Sequence, residues 1–478
     1  MMLIDRLRAA LGPASVFDAP EDVIMYEYDY GLDRAMPDVV ALPRSTAEVA
    51  LIVREAAAAG VPIVARGAGT GISGGAVPAG GGVVISMARL NRVLEIDAAN
   101  RCAVVQPGVV NLVLSKAAEP YGLFFAPDPS SQKVSTIGGN IANNAGGPHC
   151  LSLGVTVNHV LGVQVVLHDG SVLRLGGKSP EPAGLDLTGL LVGSEGTLGV
   201  VTEATVRLLP LPEAVRTALA LFASVDAASA AVSDLIGRGV VPSALEMMDR
   251  LALSAIEEAF HAGYPPEAGA VLLVEVDGLL EQVESQAAIV DQVCRAAGAL
   301  EIRLAATADE RARLWAARKG AASAMGRIAP NYYLHDAVVP RTRLPAILAQ
   351  VVEIAQRYEL PIANLFHAGD GNLHPMILFD VREPGILERV MAAGREILTR
   401  CVEAGGTISG EHGVGLEKQG FMPLIFSAAD LDVMARVRSA IDPSGRFNPS
   451  KVLPTAEHAH ADLRAKAAPS RLPEGVWV

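Results

Sequence analysis

The chain has 478 residues, half of them hydrophobic, and a formal net charge of −13. At about 150 residues per domain, this length points to two or three domains with substantial cores. The negative balance argues against nucleic-acid binding, which needs clustered Lys and Arg, and means that an anionic substrate must be held by a local cation.

No run of about 18 uncharged apolar residues occurs, so no membrane span is expected. The opening stretch, MMLIDRLRAALGP, breaks its apolar positions with charge too early for a secretory signal. Cys102, Cys150, Cys294 and Cys401 are scattered without any Cys-x-x-Cys. Neither an iron–sulfur cluster nor a zinc ribbon is therefore encoded, and a reduced, cytoplasmic setting is expected.

In chain order, a helical N-terminal segment (1–35) precedes a predicted strand at Asp38–Leu42. Ser45-Thr-Ala-Glu48 is a capping box opening a helix to about Ala59. Strands are expected at Val61–Ala65, Val83–Met87 and Ala103–Gln106, a helix from Asn111 to Pro120, and a hairpin over Val160–Leu175 turned at 168–171. Near Pro210-Leu-Pro212 the texture changes. Strands at Thr217–Ala223, Ala270–Asp277 and Val338–Pro340 alternate with helices at 281–298, 309–326 and 343–358, which predicts a sheet with helices on one face. Helices at 384–404 and 430–441 flank a Glu-His loop, and 442–451 is turn-rich. The tail after Pro454 is polar and Ala/Pro-rich and is expected to be poorly ordered. The expected division is thus an α+β unit over 36–212, a second α+β domain over 213–420, a return segment over 421–455 and a tail over 456–478.

Three loops of the first unit gather glycine and small polar residues. Arg66-Gly-Ala-Gly-Thr-Gly-Ile-Ser-Gly-Gly75 directly follows a strand; its glycines allow backbone N–H groups to converge on an anion such as a pyrophosphate. No helix with the acidic partner of a dinucleotide fingerprint follows, and no Gly-Lys-Ser/Thr is present, so it is neither a Rossmann nor a Walker loop. The second loop, 127–147, packs hydroxyls, amides and glycines around a short apolar helix start, with Ser130, Ser131, Thr136, Asn140 and Asn143 as donors. The third, Gly193–Val201, ends in a strand. The first alone reads equally well as a tight turn, but three such loops in one domain are hard to explain as turns.

The second half carries His367-Ala-Gly-Asp-Gly-Asn-Leu-His374 and a glycine-flanked Glu411-His412. Neutral imidazoles and one carboxylate suit a divalent metal that keeps open positions, and a further imidazole suits proton abstraction. The Gly-Asp-Gly-Asn turn excludes a regular helix between the histidines. Neighbours on a regular strand face opposite ways, so Glu411 and His412 can share a site only on bent backbone, which Gly410, Gly413 and Gly415 permit. Read as residues alone, these histidines favour core or surface positions over ligation, and Arg318-Lys319 favours an exposed helix end.

From about residue 36 to 455, the chain resembles the FAD-linked oxidoreductases of the vanillyl-alcohol oxidase type. Within them it is similar to the flavin subunits of bacterial glycolate dehydrogenases, on Arg66–Gly75, Ala126–Ser131, Asn144–Cys150, Leu245–Asp249, His367–Pro375 and Ser409–Gly415. The resemblance implies an α+β fold, with a two-subdomain FAD-binding domain and an α+β cap domain built on an antiparallel sheet. It implies FAD contacts from Arg66, Gly67, Ala68, Gly69, Thr70, Gly71, Ser73 and Gly74 in the first loop. Pro127, Asp128, Ser131, Thr136, Gly138, Gly139, Asn140, Asn143 and Gly146 would contribute from the second, Glu195, Gly199, Val200 and Val201 from the third, and Asn448 from the return segment. Thr70 stands where covalently flavinylated members carry His, so FAD is expected to be non-covalent.

The resemblance further makes His367, His374 and Glu411 ligands of one divalent metal (Zn, Mn or Fe), His412 the catalytic base, and Arg318 the catalytic and substrate-binding cation for a carboxylate. Tyr332 and Tyr333 are lesser substrate contacts, and Lys319 is expected to be solvated. An apolar Met376 favours a small substrate tail. The implied reaction is metal-assisted oxidation of a small 2-hydroxy acid, glycolate to glyoxylate or D-lactate to pyruvate, with hydride transfer to flavin. A second flavin-type subunit and an iron–sulfur subunit would carry electrons to quinone, placing this cytoplasmic chain at the inner face of the membrane. A D-lactate dehydrogenase working without partner chains, an ether-lipid synthase of the same flavin fold and a non-catalytic scaffold are the alternatives. The intact set Arg318, His367, His374, Glu411 and His412 speaks against the last two.

Overall fold

The computed structural model describes residues 2–179, 184–265 and 267–455, so the expectation for the 456–478 tail lies outside the described residues. The first sheet comprises β1 (Val16–Phe17), β2 (Val39–Ala41), β3 (Ile63–Arg66) and β4 (Val83–Ser86) in the order β1-β2-β4-β3. β2, β4 and β3 run parallel. Their continuous apolar runs are buried on both faces, as parallel strands require. The helix Thr46–Ala59 packs on this sheet; Ser45 Oγ accepts from Glu48 N–H at 3.2 Å, and the helix stops at left-handed Gly60.

The second sheet comprises β5 (Val93–Asp97), β6 (Cys102–Val105), β8 (Val160–Val166), β9 (Val172–Gly176) and β10 (Val200–Arg207), in the order β5-β6-β10-β8-β9 and antiparallel throughout. A two-stranded ribbon, β7 (Leu123–Phe124) with β11 (Leu209–Pro210), closes one end. Residues near 447 return to the first sheet: Phe447 enters its core and Asn448 N–H donates to Ile63 O at 2.7 Å.

The third sheet is larger. It comprises β12 (Ala214–Phe222), β13 (Ala244–Asp249), β14 (Ala270–Gly278), β15 (Glu301–Leu304), β16 (Asn331–Leu334), β17 (Ala337–Val338), β18 (Ile362–His367) and β19 (Asn372–Phe379). The order is β15-β12-β14-β13-β18-β19-β16, with β17 also on β19, and the neighbours are antiparallel.

Helices cover both faces of this sheet, not one. Phe222, Leu272, Phe366 and Ile377 pack with the helices Val225–Gly237, Leu280–Ala296, Leu344–Tyr358 and Ile386–Glu403. Leu221, Leu273, Leu365 and Leu378 pack with Arg250–Phe260 and Ala308–Lys319. The cause is visible in Val271-Leu-Leu-Val274, which is apolar at every position and so leaves neither face for water. The helix expected over 309–326 is likewise interrupted. It stops at Gly320, where a Cβ would lie 2.2 Å from Phe260 Cζ, and a short turn of helix over Ala321–Ala324 follows.

Candidate active site

A cleft of about 450 Å³ opens between the glycine loops of the first two sheets and the second face of the third. Arg66, Gly67, Ala68, Gly69, Thr70 and Gly71 form one wall; Ser131, Thr136, Gly138, Gly139, Asn140, Asn143 and Gly146 form another; Glu195, Gly199 and Val201 continue it. At Gly71 and Gly139, a Cβ would meet no protein atom nearer than 3.4 Å, so bare backbone faces the cavity there. Glycine-lined backbone of this kind fits a dinucleotide, whose phosphates need close approach to N–H groups.

Ser73, Gly74, Pro127, Asp128, Val200 and Asn448 of the expected set do not line the cleft and make contacts within the protein. Ser73 Oγ donates toward the His412 and Gly413 carbonyls at 3.3 and 3.2 Å. Asn448 Nδ2 donates to Gly75 O and Glu195 O at 2.8 and 2.7 Å. Gly74 abuts Leu416 and Asp33, Pro127 O accepts from Asn111 Nδ2, and Val200 is in the first core. Asp128 pairs with His149 at 3.0 Å and with Lys319 at 2.8 Å. Lys319 is therefore bound to Asp128 in the cleft wall rather than solvated.

Sheet parity delivers the second wall. Leu365 and His367 on β18, and His374 and Met376 on β19, project to one face, with Leu365 opposite His374 in register. The His367 and His374 rings lie edge to face, centroids 5.0 Å apart. Tyr332 and Leu334 on β16 reach the same cleft. Tyr333, one residue on, points the opposite way and packs edge to face on His335 in the other core, so it is not a cleft residue. Arg318, near the end of the helix Ala308–Lys319, is 5% exposed and lines the cleft with Nε lacking a hydrogen-bond acceptor.

The Glu-His loop is bent by a carboxylate beneath it. Asp336 Oδ2 accepts from the N–H groups of Gly410, Glu411 and His412 at 2.9, 3.1 and 2.9 Å and from Ser409 Oγ at 2.8 Å. From the other side, Glu195 accepts from Val414 and Gly415 N–H at 2.7 and 2.8 Å, and Asn143 Nδ2 donates to His412 O at 2.9 Å. Glu195, a cleft residue, thus has its carboxylate committed to the loop. Gly413, at φ 83°, permits the turn that brings both Glu411 and His412 into the cleft.

One nitrogen each from His367 and His374 and one oxygen from Glu411 lie within 4.8 Å of one another. His374 Nε2 is buried without a hydrogen-bond partner. An orphaned imidazole nitrogen beside a second imidazole and a carboxylate fits a divalent ion. Asp336, His374 and His412 are equally close, but Asp336 Oδ2 already accepts from four loop donors. His412 stacks on His374 at 4.9 Å, and its Nε2 is 3.6 Å from Glu411, beyond hydrogen-bond reach.

Burial alone would push the His367 imidazole down, but Glu246 and Glu411, on its two nitrogens, hold it well above the ordinary range. Burial would likewise raise Glu411; His367 and the neighbouring rings bring it to about 2. For His412 burial wins against Asp336, lowering it to about 4 and leaving a neutral ring at physiological pH.

Two residues were missed in the sequence. Glu246 is fully buried with Oε1 2.7 Å from His367 Nδ1 and Oε2 2.6 Å from Arg318 Nη2. Asp336 is equally buried. The available signal was a lone acid inside an apolar strand, as in Ala244-Leu-Glu-Met-Met248.

Residues 37–176 match the family described as an FAD binding domain, and residues 211–452 match the C-terminal domain of FAD linked oxidases. The chain belongs to the FAD-linked oxidases. It is 47% identical to glycolate oxidase subunit GlcD of Escherichia coli K12, over 94% of this chain and 90% of that one. It is 32% identical to a D-lactate dehydrogenase of Anaerostipes hadrus, over 88% and 90% of the two chains. Among solved structures, an alkyldihydroxyacetonephosphate synthase superposes with a TM-score of 0.74 at 19% identity, covering 94% of this chain and 84% of its own. At that identity the likeness shows the fold alone. The family resemblance drawn from the motifs stands, and a synthase reading of this FAD-linked oxidase has only the shared fold behind it. No helix among its described residues is long and apolar enough to cross a membrane.

Proposed function

We propose that this FAD-linked oxidase is a dehydrogenase of small 2-hydroxy acids, with glycolate as first candidate and D-lactate as second. The observation that carries the reading is the convergence of a buried, donor-rich Arg318, the His367–His374–Glu411 triad and a neutral His412 on one glycine-lined cleft. The first two glycine loops would hold FAD, and His367, His374 and Glu411 a divalent ion. When bound, these groups supply a hydride acceptor and a Lewis acid that acidifies a hydroxyl.

The protein's own residues do the rest. Arg318 grips the substrate carboxylate, where a planar fork suits two oxygens. His412 takes the hydroxyl proton on its ring nitrogen. Leu334, Leu365 and Met376 line the cleft with apolar surface, which suits a short apolar tail. Thr70 offers no imidazole to the flavin, so FAD is held without a covalent bond.

The Escherichia coli relative is named as a subunit, which supports partner chains here too; in our reading these are a second flavin-type subunit and an iron–sulfur subunit leading to quinone. Such partners would place this chain at the cytoplasmic face of the membrane. Anaerobic flavin bleaching with glycolate, D-lactate, L-lactate and 2-hydroxyglutarate, alongside metal analysis, tests the reading. Fast bleaching by glycolate or D-lactate in metal-containing protein is expected; bleaching by none of the four overturns it.

A further inference from the structure

We infer that Glu246 is a positioning residue that sets the spacing between the metal-binding and carboxylate-binding halves of the site. The inference rests on the proposed function for the roles of His367 and Arg318. It goes beyond that reading in giving both roles a common support.

A carboxylate with no exposure to water is costly unless compensated. Glu246 sits on β13 directly opposite His367 on β18, in register, with both side chains on the cleft-facing side of the sheet. One oxygen accepts a hydrogen bond from His367 Nδ1–H at 2.7 Å. That fixes the ring so that Nε2, the nitrogen 3.1 Å from Glu411, is the one presented to the cleft.

The other oxygen lies 2.6 Å from Arg318 Nη2. This ion pair engages Nη2, while Nε remains without an acceptor. Arg318 is therefore neutralised and anchored at one nitrogen while Nε stays available to a ligand. A 2-hydroxy acid presents a carboxylate and a hydroxyl one carbon apart, so the two protein groups that meet them must keep a fixed separation. A single rigid carboxylate touching both provides it.

The isosteric Glu246→Gln tests this. An amide can still accept from His367, but it turns an N–H toward Arg318 or loses His367 instead. The protein is purified with FAD, its Zn²⁺ affinity is measured by chelator competition, and KM for glycolate and D-lactate is measured at saturating Zn²⁺. The expected result is a paired change with FAD retained. Zn²⁺ affinity falls about 10–100-fold, the usual loss when a carboxylate supporting a ligating histidine is removed. KM rises about tenfold or more, as for a lost contact to a charged group. Arg318→Lys raises KM but leaves Zn²⁺ affinity unchanged. If Glu246→Gln loses FAD, Glu246→Asp is measured instead; one methylene shorter, it cannot span both partners and gives the same paired change. Wild-type Zn²⁺ affinity and KM in whichever variant keeps FAD overturn the role of Glu246 while leaving the proposed function intact. Wild-type protein that takes up no Zn²⁺ and is bleached by neither acid overturns both.

Discussion

His412 has one nitrogen 3.7 Å from Asp336 and the other 3.6 Å from Glu411, and hydrogen-bonds neither. An imidazole this close to two carboxylates, yet hydrogen-bonded to neither, is placed to accept a proton from something else. Replacing it with Ala should leave metal content and FAD unchanged and slow anaerobic flavin reduction by about 10²–10⁴-fold, the worth of a positioned base. Metal loss on the same scale would instead make His412 a ligand. Thr70, in the wall of the cleft, leads to a second expectation. Acid precipitation should leave the yellow chromophore in the supernatant; a coloured pellet would mean a covalent link elsewhere.

At the scale of elements, the 409–415 loop is held between Asp336 from the cap and Glu195, Asn143 and Ser73 from the flavin domain. Glu195→Ala would leave the Val414 and Gly415 N–H groups buried without acceptors, at about 1–3 kcal/mol each. A lower melting temperature and slower flavin reduction with FAD still bound are expected; an unchanged melting temperature would show that water replaces the carboxylate.

This loop also marks the limit of what the sequence conveys. The glycine loops and the histidine motif were legible because their chemistry is local. Which strand faces meet was not. Tyr332 and Tyr333 look alike in sequence, and only the parity of β16 separates cleft from core. The resemblance implies flavin contacts for Ser73, Glu195 and Asn448, and no sequence pattern shows that Ser73 and Glu195 also hold the 409–415 loop, or that Asn448 donates to Gly75 and Glu195. Glu246 meets His367 across 121 residues, a distance that no local pattern reports.

Across the whole molecule, a charged cluster ties the two halves together. His149 and Asp128 of the flavin domain meet Glu275 on β14 and Lys319 on the cap helix, and Arg311 and Trp315 donate to the same Glu275 carboxylate. Burial alone would lower the His149 imidazole, but Asp128, with Glu275, lifts it to about 10. A histidine raised on folding adds stability that is complete below its ordinary pKa and is lost as pH climbs through the raised value. Thermal stability should therefore decline between about pH 6.5, the ordinary imidazole value, and pH 10, and His149→Gln should flatten that decline. An unchanged slope in the variant would assign it to other groups.

The two-sided sheet has a last consequence, for the natural history of such enzymes. Its far face is locked by four helices, while positions 332, 334, 365 and 376 look into the cleft from alternate sites on three strands. Substitutions there can recast which acid is accepted without disturbing the flavin loops or the packing behind. Divergence among descendants of this scaffold should gather at those few alternating positions.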